Sequence, residues 1–155
     1  MYIIYNLLMI GAFFLVMPYF IYRSICEKGF TRRMRQSLGG IRDEEIEAVA
    51  LKGCIWIHGA SVGEIVATSP LVKEIRKAMP EIPILVSAVT VGGYDMARQI
   101  IPEADAIIYF PLDLPFVSES VVKRIRPRIF MPVETELWPN LLRALRERNI
   151  PGNDG

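Results

Sequence analysis

The sequence is poor in the residues that carry several common chemistries: among 155 residues it has one histidine and two cysteines. Cys26 and Cys54 are far apart and lack the spacing of metal ligands. Nothing indicates a disulfide framework, which fits a reducing compartment. The net charge is only +1, so bulk electrostatics give no reason to expect a nucleic-acid partner. The length predicts one ordinary domain, and the residues predict neither a metal site nor a cofactor.

Charge is absent from the beginning of the chain. Residues 2–22 are uncharged and mostly apolar, and the mean hydropathy of the chain is +0.30. A helix of about 20 apolar residues can cross the hydrocarbon layer, and the basic residues after it predict that the following domain faces the cytoplasm. A cleaved signal peptide would carry its basic residues before the apolar run. The expected structure is an uncleaved membrane anchor over residues 1–23, with a buried or interfacial helix as the alternative.

From residue 54 onwards, short apolar runs alternate with amphipathic stretches. This alternation predicts βαβ units and a parallel sheet, with Pro70 kinking the first helix or starting a fresh one. The predicted strands are 54–57, 84–89, 106–110 and 128–133, and the predicted helices are 62–79, 94–101, 116–125 and 139–148. The loops after the strands read HGASVGE, TVGG, PLDLP and PVETELWPN. They meet at the carboxyl edge of such a sheet, where ligands bind, and this edge is the predicted site.

The first of these loops contains GASVG at residues 59–63, the G-x-S-x-G spelling of a serine-hydrolase nucleophile elbow. A serine nucleophile needs an imidazole base, but the single histidine, His58, lies upstream, and no S-x-x-K motif offers a lysine instead. No G-K-S/T follows the glycines, which excludes a phosphate-binding P-loop. Ser61 and Glu64 fit a capping box at a helix start. Glu64 also lies at the predicted site, where it can accept a proton, so both roles stay open.

The polar residues of the other loops have two interpretations each. One carboxylate of the pair Glu134 and Glu136 can favour the positive end of the dipole of the helix that follows. Two acids around a threonine, after an apolar strand and facing a third acid on the adjoining loop, are more typical of a polar site. Asp113, between two prolines, is interpreted first as a turn residue and second as a ligand. His58 is either a strand-end histidine with satisfied hydrogen bonds or a substrate contact.

Together, four motifs resemble the N-terminal half of the lipid A Kdo transferases: S-V-G-E at 61–64, P-L-V at 70–72, P-L-D-L-P at 111–115 and E-T-E-L-W-P-N at 134–140. These enzymes transfer 3-deoxy-D-manno-octulosonic acid (Kdo) from CMP-Kdo to lipid A precursors. The resemblance covers almost the whole chain, to about Ile150. It implies the N-terminal domain of a GT-B glycosyltransferase, an α/β fold with a Rossmann-like parallel sheet and flanking helices. A membrane helix would precede it and hold the protein in the inner membrane, with the domain facing the cytoplasm.

The resemblance also implies roles for individual residues. Glu64 matches the family's general base and Glu134 matches a second essential carboxylate, which is consistent with the need to remove a proton from the attacking sugar hydroxyl. In the family's two-domain arrangement the N-terminal domain receives the lipid A precursor and the C-terminal domain holds the donor substrate CMP-Kdo, with no metal or cofactor. The further residues expected to contact the substrate are Ser61, Gly63, Glu136 and Asp113.

The expected division of the chain is an anchor over 1–23, a basic juxtamembrane and linking segment over 24–50, a Rossmann-like acceptor-side domain over 51–150 and a polar tail over 151–155. The tail reads PGNDG where the family continues with an apolar strand, a composition that does not supply one. A truncated or frameshifted reading frame, or a fragment, without the donor domain is therefore expected. Three functions stay open: an enzyme half that needs that domain, a membrane-anchored module that binds lipid or protein, and an inactive fragment.

Overall fold

The computed structural model of the protein describes residues 2–26, 29–134 and 138–152. Its strands are β1 (Ile55–Gly59), β2 (Ile84–Ala88), β3 (Ala106–Tyr109) and β4 (Ile129–Pro132). Its helices are α1 (Tyr2–Cys26), α2 (Phe30–Ser37), α3 (Asp43–Ala50), α4 (Val62–Ala78), α5 (Val91–Ile100), α6 (Pro115–Ile125) and α7 (Pro139–Arg146). From β1 onwards, strands and helices alternate without exception among these elements.

The four strands form one parallel sheet in the order β3-β2-β1-β4. β1 lies in the interior of the sheet, and its Ile57 is paired with Val86 of β2 on one side and with Met131 of β4 on the other. Parallel strands joined by helices bury both faces of a sheet, which accounts for their nearly continuous apolar sequences. The predicted α/β fold with a parallel sheet and flanking helices is confirmed, and it fits the N-terminal domain of a GT-B glycosyltransferase.

Each face of the sheet has its own hydrophobic core, because successive side chains of a strand point to opposite faces. Trp56 and Leu85 belong to the core that includes residues of α3, α6 and α7. Ile57 and Val86 belong to the core beneath α4 and α5. Cys54 is fully buried, as expected of a core thiol, and burial raises its pKa to about 12. The sheet is therefore a rigid layer that presents its loops at fixed positions.

The helices differ from the sequence prediction most clearly at Pro70 and at the start of α5. α4 is one helix that contains Pro70, so the predicted fresh helix at this proline is wrong: a missing N–H removes one hydrogen bond without ending the hydrogen-bonded turns on either side. α5 begins at Val91 rather than at residue 94. The Thr90 hydroxyl accepts a hydrogen bond from the Gly93 amide at 3.0 Å, which places the two glycines in the first helical turn instead of in a loop.

The segment before β1 packs onto the sheet through α2. The Gln36 side-chain oxygen accepts a hydrogen bond from the Tyr109 amide at 2.8 Å, and the Ser37 hydroxyl donates to the Phe110 carbonyl at 3.0 Å. The Ser37 carbonyl in turn accepts from the Leu112 amide at 2.7 Å. These bonds fix the start of the PLDLP loop against α2. The division of the chain into the four segments given above stays a prediction.

Helix α1 contacts the domain through polar side chains. The Tyr5 hydroxyl donates a hydrogen bond to Asp113 at 2.8 Å, and the Asn6 side-chain oxygen accepts one from the Asn140 amide group at 3.0 Å. In the part of the chain that the structure describes, no helix has the length and apolar character needed to cross a membrane. The prediction of a single N-terminal anchor in the inner membrane, with the domain in the cytoplasm, is therefore wrong. Two polar groups of the run, those of Tyr5 and Asn6, bind the domain instead.

The chain after α7 returns to the outer side of β4. The Phe130 amide donates a hydrogen bond to the Pro151 carbonyl at 3.0 Å, and Ile150 packs against the core that contains Trp56. Asn149 has a left-handed backbone with φ of 53°, a conformation that asparagine adopts more readily than most residues. This turn after α7 directs the following residues along the edge of the sheet.

Candidate functional site

The site lies where the order of the sheet reverses. From β1 the chain proceeds outwards through β2 and β3, and it then crosses to β4 on the other side of β1. In open parallel sheets, ligands bind outside the carboxyl ends of the strands at such a switch point. The last residue pair between β1 and β4 is His58 with Pro132. Just beyond it, the Val133 amide donates a hydrogen bond to the His58 carbonyl at 2.9 Å. The loops that begin with Gly59 and Val133 are therefore neighbours at this crevice.

Glu64 lies in the first turn of α4, directly after β1. Its carboxylate accepts hydrogen bonds from the Ala60 amide at 2.9 Å, the Ser61 amide at 3.2 Å and the Ser61 hydroxyl at 2.7 Å. The Glu64 amide donates to the Ser61 hydroxyl oxygen at 3.3 Å. These reciprocal bonds confirm the capping box predicted from the spacing of Ser61 and Glu64. A partly exposed carboxylate is thereby held in one orientation at the edge of the sheet.

Several interactions set the proton affinity of Glu64. Burial alone would raise the pKa of its carboxyl group, but the hydrogen bonds from Ser61 and Ala60 and the charge of His58 outweigh burial and lower the pKa below the ordinary value of 4.5. Hydrogen bonds to the ionised form have this effect because they stabilise the negative charge. Glu64 is therefore in its proton-accepting form at neutral pH.

The β1 loop requires a glycine where it approaches α4. A Cβ atom on Gly59 would lie 3.2 Å from the Glu64 Cβ atom and 3.2 Å from the Ile65 Cδ1 atom. Both contacts are tighter than ordinary van der Waals separation, so a larger residue would require Glu64 or the Ile65 side chain to shift by a few tenths of an ångström. Ser61 and Gly63 are exposed on this turn, where a substrate can reach them.

We expect Ser61→Ala to lower the free energy of unfolding by about 1 kcal/mol, because the variant loses the N-cap hydrogen bond of α4. Denaturant unfolding of the wild-type and variant chains measures this difference. A fluorophosphonate probe, which labels activated serines, is expected to leave Ser61 unmodified. Covalent labelling at this residue would show that it is a nucleophile and not a cap.

The second predicted carboxylate, Glu134, lies beyond the end of β4 and is exposed to solvent. Its neighbour Val133 is fixed to β1 by the bond to the His58 carbonyl, so Glu134 follows directly on the junction of the two strands. Glu136, predicted as a substrate contact, lies outside the described residues. The structure thus brings Glu64 and Glu134 to the same edge of the sheet, after the adjacent strands β1 and β4.

Asp113 has the contacts of a structural residue. It is buried, with 1% of its surface exposed, and its carboxylate accepts hydrogen bonds from the main-chain amides of Asn140 at 3.1 Å and Leu141 at 2.8 Å. The hydroxyls of Tyr5 and Ser118 also donate to it, at 2.8 and 3.3 Å. Burial, together with the bond to Asp113 and its charge, raises the pKa of Tyr5 to about 12.

The Asp113 carboxylate caps the N-terminus of α7. Its own N-cap residue, Trp138, makes no side-chain capping bond, whereas Asp113 reaches the amides of the second and third helical residues from another loop. A negative charge at a helix N-terminus is also favoured by the dipole. Of the two roles that the sequence leaves open for Asp113, these contacts describe the structural one. Its predicted contact with the substrate stays a prediction.

His58 lies beneath the two loops among aromatic rings. It is buried, with 1% of its surface exposed, and its ring stacks on Phe110 with a centroid distance of 3.8 Å. The Nδ1 atom lies 3.0 Å from the Ser87 hydroxyl oxygen and 3.2 Å from the Ser87 carbonyl. Trp138 meets the ring at an interplanar angle of 70° and a centroid distance of 6.4 Å.

Two polar residues near the site were missed from the sequence. Ser87, in β2, accepts a hydrogen bond from the Trp56 indole at 2.8 Å and lies beside His58. Asn140 is buried and joins α7 to Asp113 and α1. A serine inside an apolar strand and an asparagine directly after a helical proline were the available signals.

Among the described residues, no group of three or more histidine, cysteine, aspartate or glutamate side chains is placed to hold a metal ion.

Comparison with known proteins identifies the family. The family model described as 3-deoxy-D-manno-octulosonic-acid transferase (kdotransferase) matches residues 31–152. The chain therefore belongs to this family, and the resemblance seen in its motifs is confirmed.

Individual relatives agree with this assignment. The chain is 38% identical to a 3-deoxy-D-manno-octulosonic acid transferase of Haemophilus influenzae over 97 residues, which cover 63% of the chain and 23% of the relative. It is 33% identical to a bifunctional glycosyltransferase/methyltransferase of Fusobacterium nucleatum over 147 residues, 94% of the chain and 21% of the relative. It is 29% identical to a 3-deoxy-D-manno-octulosonic acid transferase of Chlamydophila psittaci, over 90% of the chain and 32% of the relative. The chain thus spans about a fifth to a third of the length of these relatives.

Proposed function

We propose that the chain forms the acceptor-side domain of an enzyme that transfers Kdo from CMP-Kdo to a lipid A precursor in lipopolysaccharide core biosynthesis. The observation that carries this proposal is the place of Glu64: an oriented, ionised carboxylate at the switch point of a parallel sheet, with Glu134 just beyond the end of the adjacent strand β4. Family membership supplies the reaction class. The donor CMP-Kdo is bound, in this proposal, by a second domain of the kind that GT-B enzymes have.

The chemistry assigned to Glu64 is general-base catalysis. A hydroxyl oxygen of the acceptor sugar attacks the anomeric carbon of Kdo, the bond from that carbon to the phosphate of CMP breaks, and CMP leaves with the electron pair. The acceptor hydroxyl loses its proton to the Glu64 carboxylate. The lowered pKa keeps this carboxylate ionised and ready to accept a proton, although it also makes Glu64 a weaker base than an ordinary glutamate.

Glu134 is proposed to stabilise positive charge. The anomeric carbon becomes electron-poor as CMP departs, and a fixed carboxylate nearby favours that state more than the uncharged ground state. Ser61 and Gly63 are proposed to contact the acceptor from the exposed first turn of α4, and Glu136 to contact it from the Glu134 loop. Asp113 is proposed to contribute through the position of α7.

A second function is favoured by one observation. The hydrogen bonds described for the Glu64 carboxylate all come from its own loop, as expected of a cap that performs no chemistry. In that case the chain binds an acceptor or a partner without catalysis. The two functions differ in whether the carboxylates of Glu64 and Glu134 are needed for Kdo transfer.

A transfer assay tests the proposal. In a two-domain enzyme that contains this chain, CMP-Kdo and a lipid A precursor are expected to give a Kdo-extended lipid, detected by mass spectrometry. Glu134→Gln is expected to lower turnover about 10²–10³-fold, the usual cost of removing one electrostatic stabiliser of a transition state. The matched control is Glu81→Gln, because Glu81 is an exposed carboxylate in the turn before β2, at the opposite edge of the sheet. Wild-type enzyme that forms no Kdo-extended lipid, or equal turnover in the two variants, would contradict the proposal.

A further inference from the structure

His58 is connected to both segments that carry the proposed carboxylates, the turn with Glu64 and the segment with Glu134. Gly59, Ala60 and Ser61 follow it directly in the chain, so the turn that holds Glu64 continues from its main chain. The segment that carries Glu134 contacts it at both described ends. The Val133 amide donates to its carbonyl at 2.9 Å, and the Trp138 ring meets its imidazole at a centroid distance of 6.4 Å.

The imidazole is itself held firmly. It is 1% exposed and is stacked on Phe110 at an interplanar angle of 21°, and a second ring, Phe130, lies nearly parallel to it at a centroid distance of 6.3 Å. Its Nδ1 atom is within hydrogen-bond distance of the hydroxyl and the carbonyl oxygen of Ser87. Since a carbonyl oxygen can only accept, the second contact requires a proton on Nδ1.

These contacts reach all four strands of the sheet. Ser87 belongs to β2, Phe110 follows β3 directly, and Phe130 belongs to β4, while His58 is in β1. A ring that is held by β2, by β4 and by the residue directly after β3 can transmit their positions to Trp138, which it meets. Core packing alone would be served by an apolar ring, so the buried polar contact of His58 with Ser87 needs a further explanation.

We propose that His58 is a positioning residue, which fixes Val133, next to Glu134, and Trp138 relative to the turn that orients Glu64. The inference rests on the proposed function, because it concerns the same two loops. His58 touches neither reacting group in this assignment and acts through its main-chain contact with Val133, the ring of Trp138 and the turn that follows it in the chain.

Hydrogen exchange in the 155-residue chain tests the positioning role. The probe is the Val133 amide, and the internal reference is the Arg128 amide, which donates to the Cys54 carbonyl at 2.8 Å at the other end of the same pair of strands. In His58→Gln the Val133 amide is expected to exchange about tenfold faster relative to the Arg128 amide, since local opening then costs less by roughly one net hydrogen bond. Global destabilisation would accelerate both amides equally.

The titration of Glu64 provides a second readout that a purely structural role would not move. Followed by carbon NMR of its carboxyl group, the pKa of Glu64 is expected to rise in His58→Gln, because the turn that follows residue 58 is held less firmly and its hydrogen bonds from Ala60 and Ser61, which lower this pKa, weaken. The control is Ile57→Val, a truncation in the same strand on the opposite face of the sheet, which is expected to change neither readout. Equal acceleration of the two amides, or an unchanged Glu64 titration, in His58→Gln would overturn the proposal. Neither readout requires turnover, so failure of the proposed function is seen separately in the transfer assay.

Discussion

In Asp113→Ala, the free energy of unfolding of the chain is expected to fall by about 3 kcal/mol, because several buried donors lose their acceptor at once. The amides of Asn140 and Leu141 at the start of α7 would be left without the carboxylate that accepts from them. The Tyr5 hydroxyl would lose its bond as well, which loosens the contact between α1 and the domain. The loss of a single helix cap usually costs only about 1 kcal/mol, so the larger value reflects the burial of the whole group.

Urea unfolding of the wild-type and variant chains measures the effect. The matched control is Asp95→Ala, which removes an exposed aspartate of α5 and is expected to change the free energy of unfolding by less than about 0.5 kcal/mol. Tyr5→Phe separates the contribution of α1 and is expected to cost about 1 kcal/mol. If Asp113→Ala unfolds within 1 kcal/mol of the wild type, Asp113 does not hold α7 as described.

The fold was predictable from the sequence because its signals are local. Apolar runs such as CIWI and ILVSA alternate with amphipathic stretches, and this pattern alone indicates a parallel α/β sheet. The first turn of α5 was missed because two adjacent glycines are typical of a loop. The structure shows why a glycine is needed within the helix: a Cβ atom on Gly93 would lie 3.0 Å from the Thr90 hydroxyl and 3.3 Å from the Ala88 Cβ atom.

The site was predictable only where its residues are close in sequence. Ser61 and Glu64 are three positions apart, so their capping box follows from spacing. The contacts of Asp113 join residues 27 and 108 positions away, and a single sequence contains no signal for such pairs. The same limit explains the error over α1. The hydropathy pattern indicates only that Tyr5 and Asn6 lie in an apolar run. It contains no information on their hydrogen bonds to the domain.

The largest effect on activity is expected at Glu64. In Glu64→Gln the side-chain oxygen can still accept the hydrogen bonds of Ser61, while the amide nitrogen replaces the oxygen that now accepts from Ala60 at 2.9 Å. The variant therefore loses about one hydrogen bond, or about 1 kcal/mol of stability, and keeps the start of α4. An amide cannot accept the proton of the acceptor hydroxyl at neutral pH. If Glu64 is the base, turnover falls about 10²–10⁴-fold, the typical contribution of general-base catalysis.

Ser61→Ala provides the matched control for this prediction. It weakens the same cap but leaves the carboxylate in place, so its turnover is expected to stay within about tenfold of the wild type, well above the loss expected of a missing base. Without the Ser61 hydroxyl, one of the interactions that lower the pKa of Glu64 is also absent. The pKa then moves up towards 4.5, and Glu64 remains ionised at neutral pH.

The most direct test of the account is the turnover of Glu64→Gln in a two-domain enzyme that contains this chain, measured at neutral pH with saturating CMP-Kdo and lipid A precursor. If Glu64 is the general base, the variant is folded, with an unfolding free energy close to that of Ser61→Ala, and its turnover is about 10²–10⁴-fold below the wild type. A Glu64→Gln enzyme with turnover within a few-fold of the wild type would contradict the account and would leave Glu64 with the capping role alone.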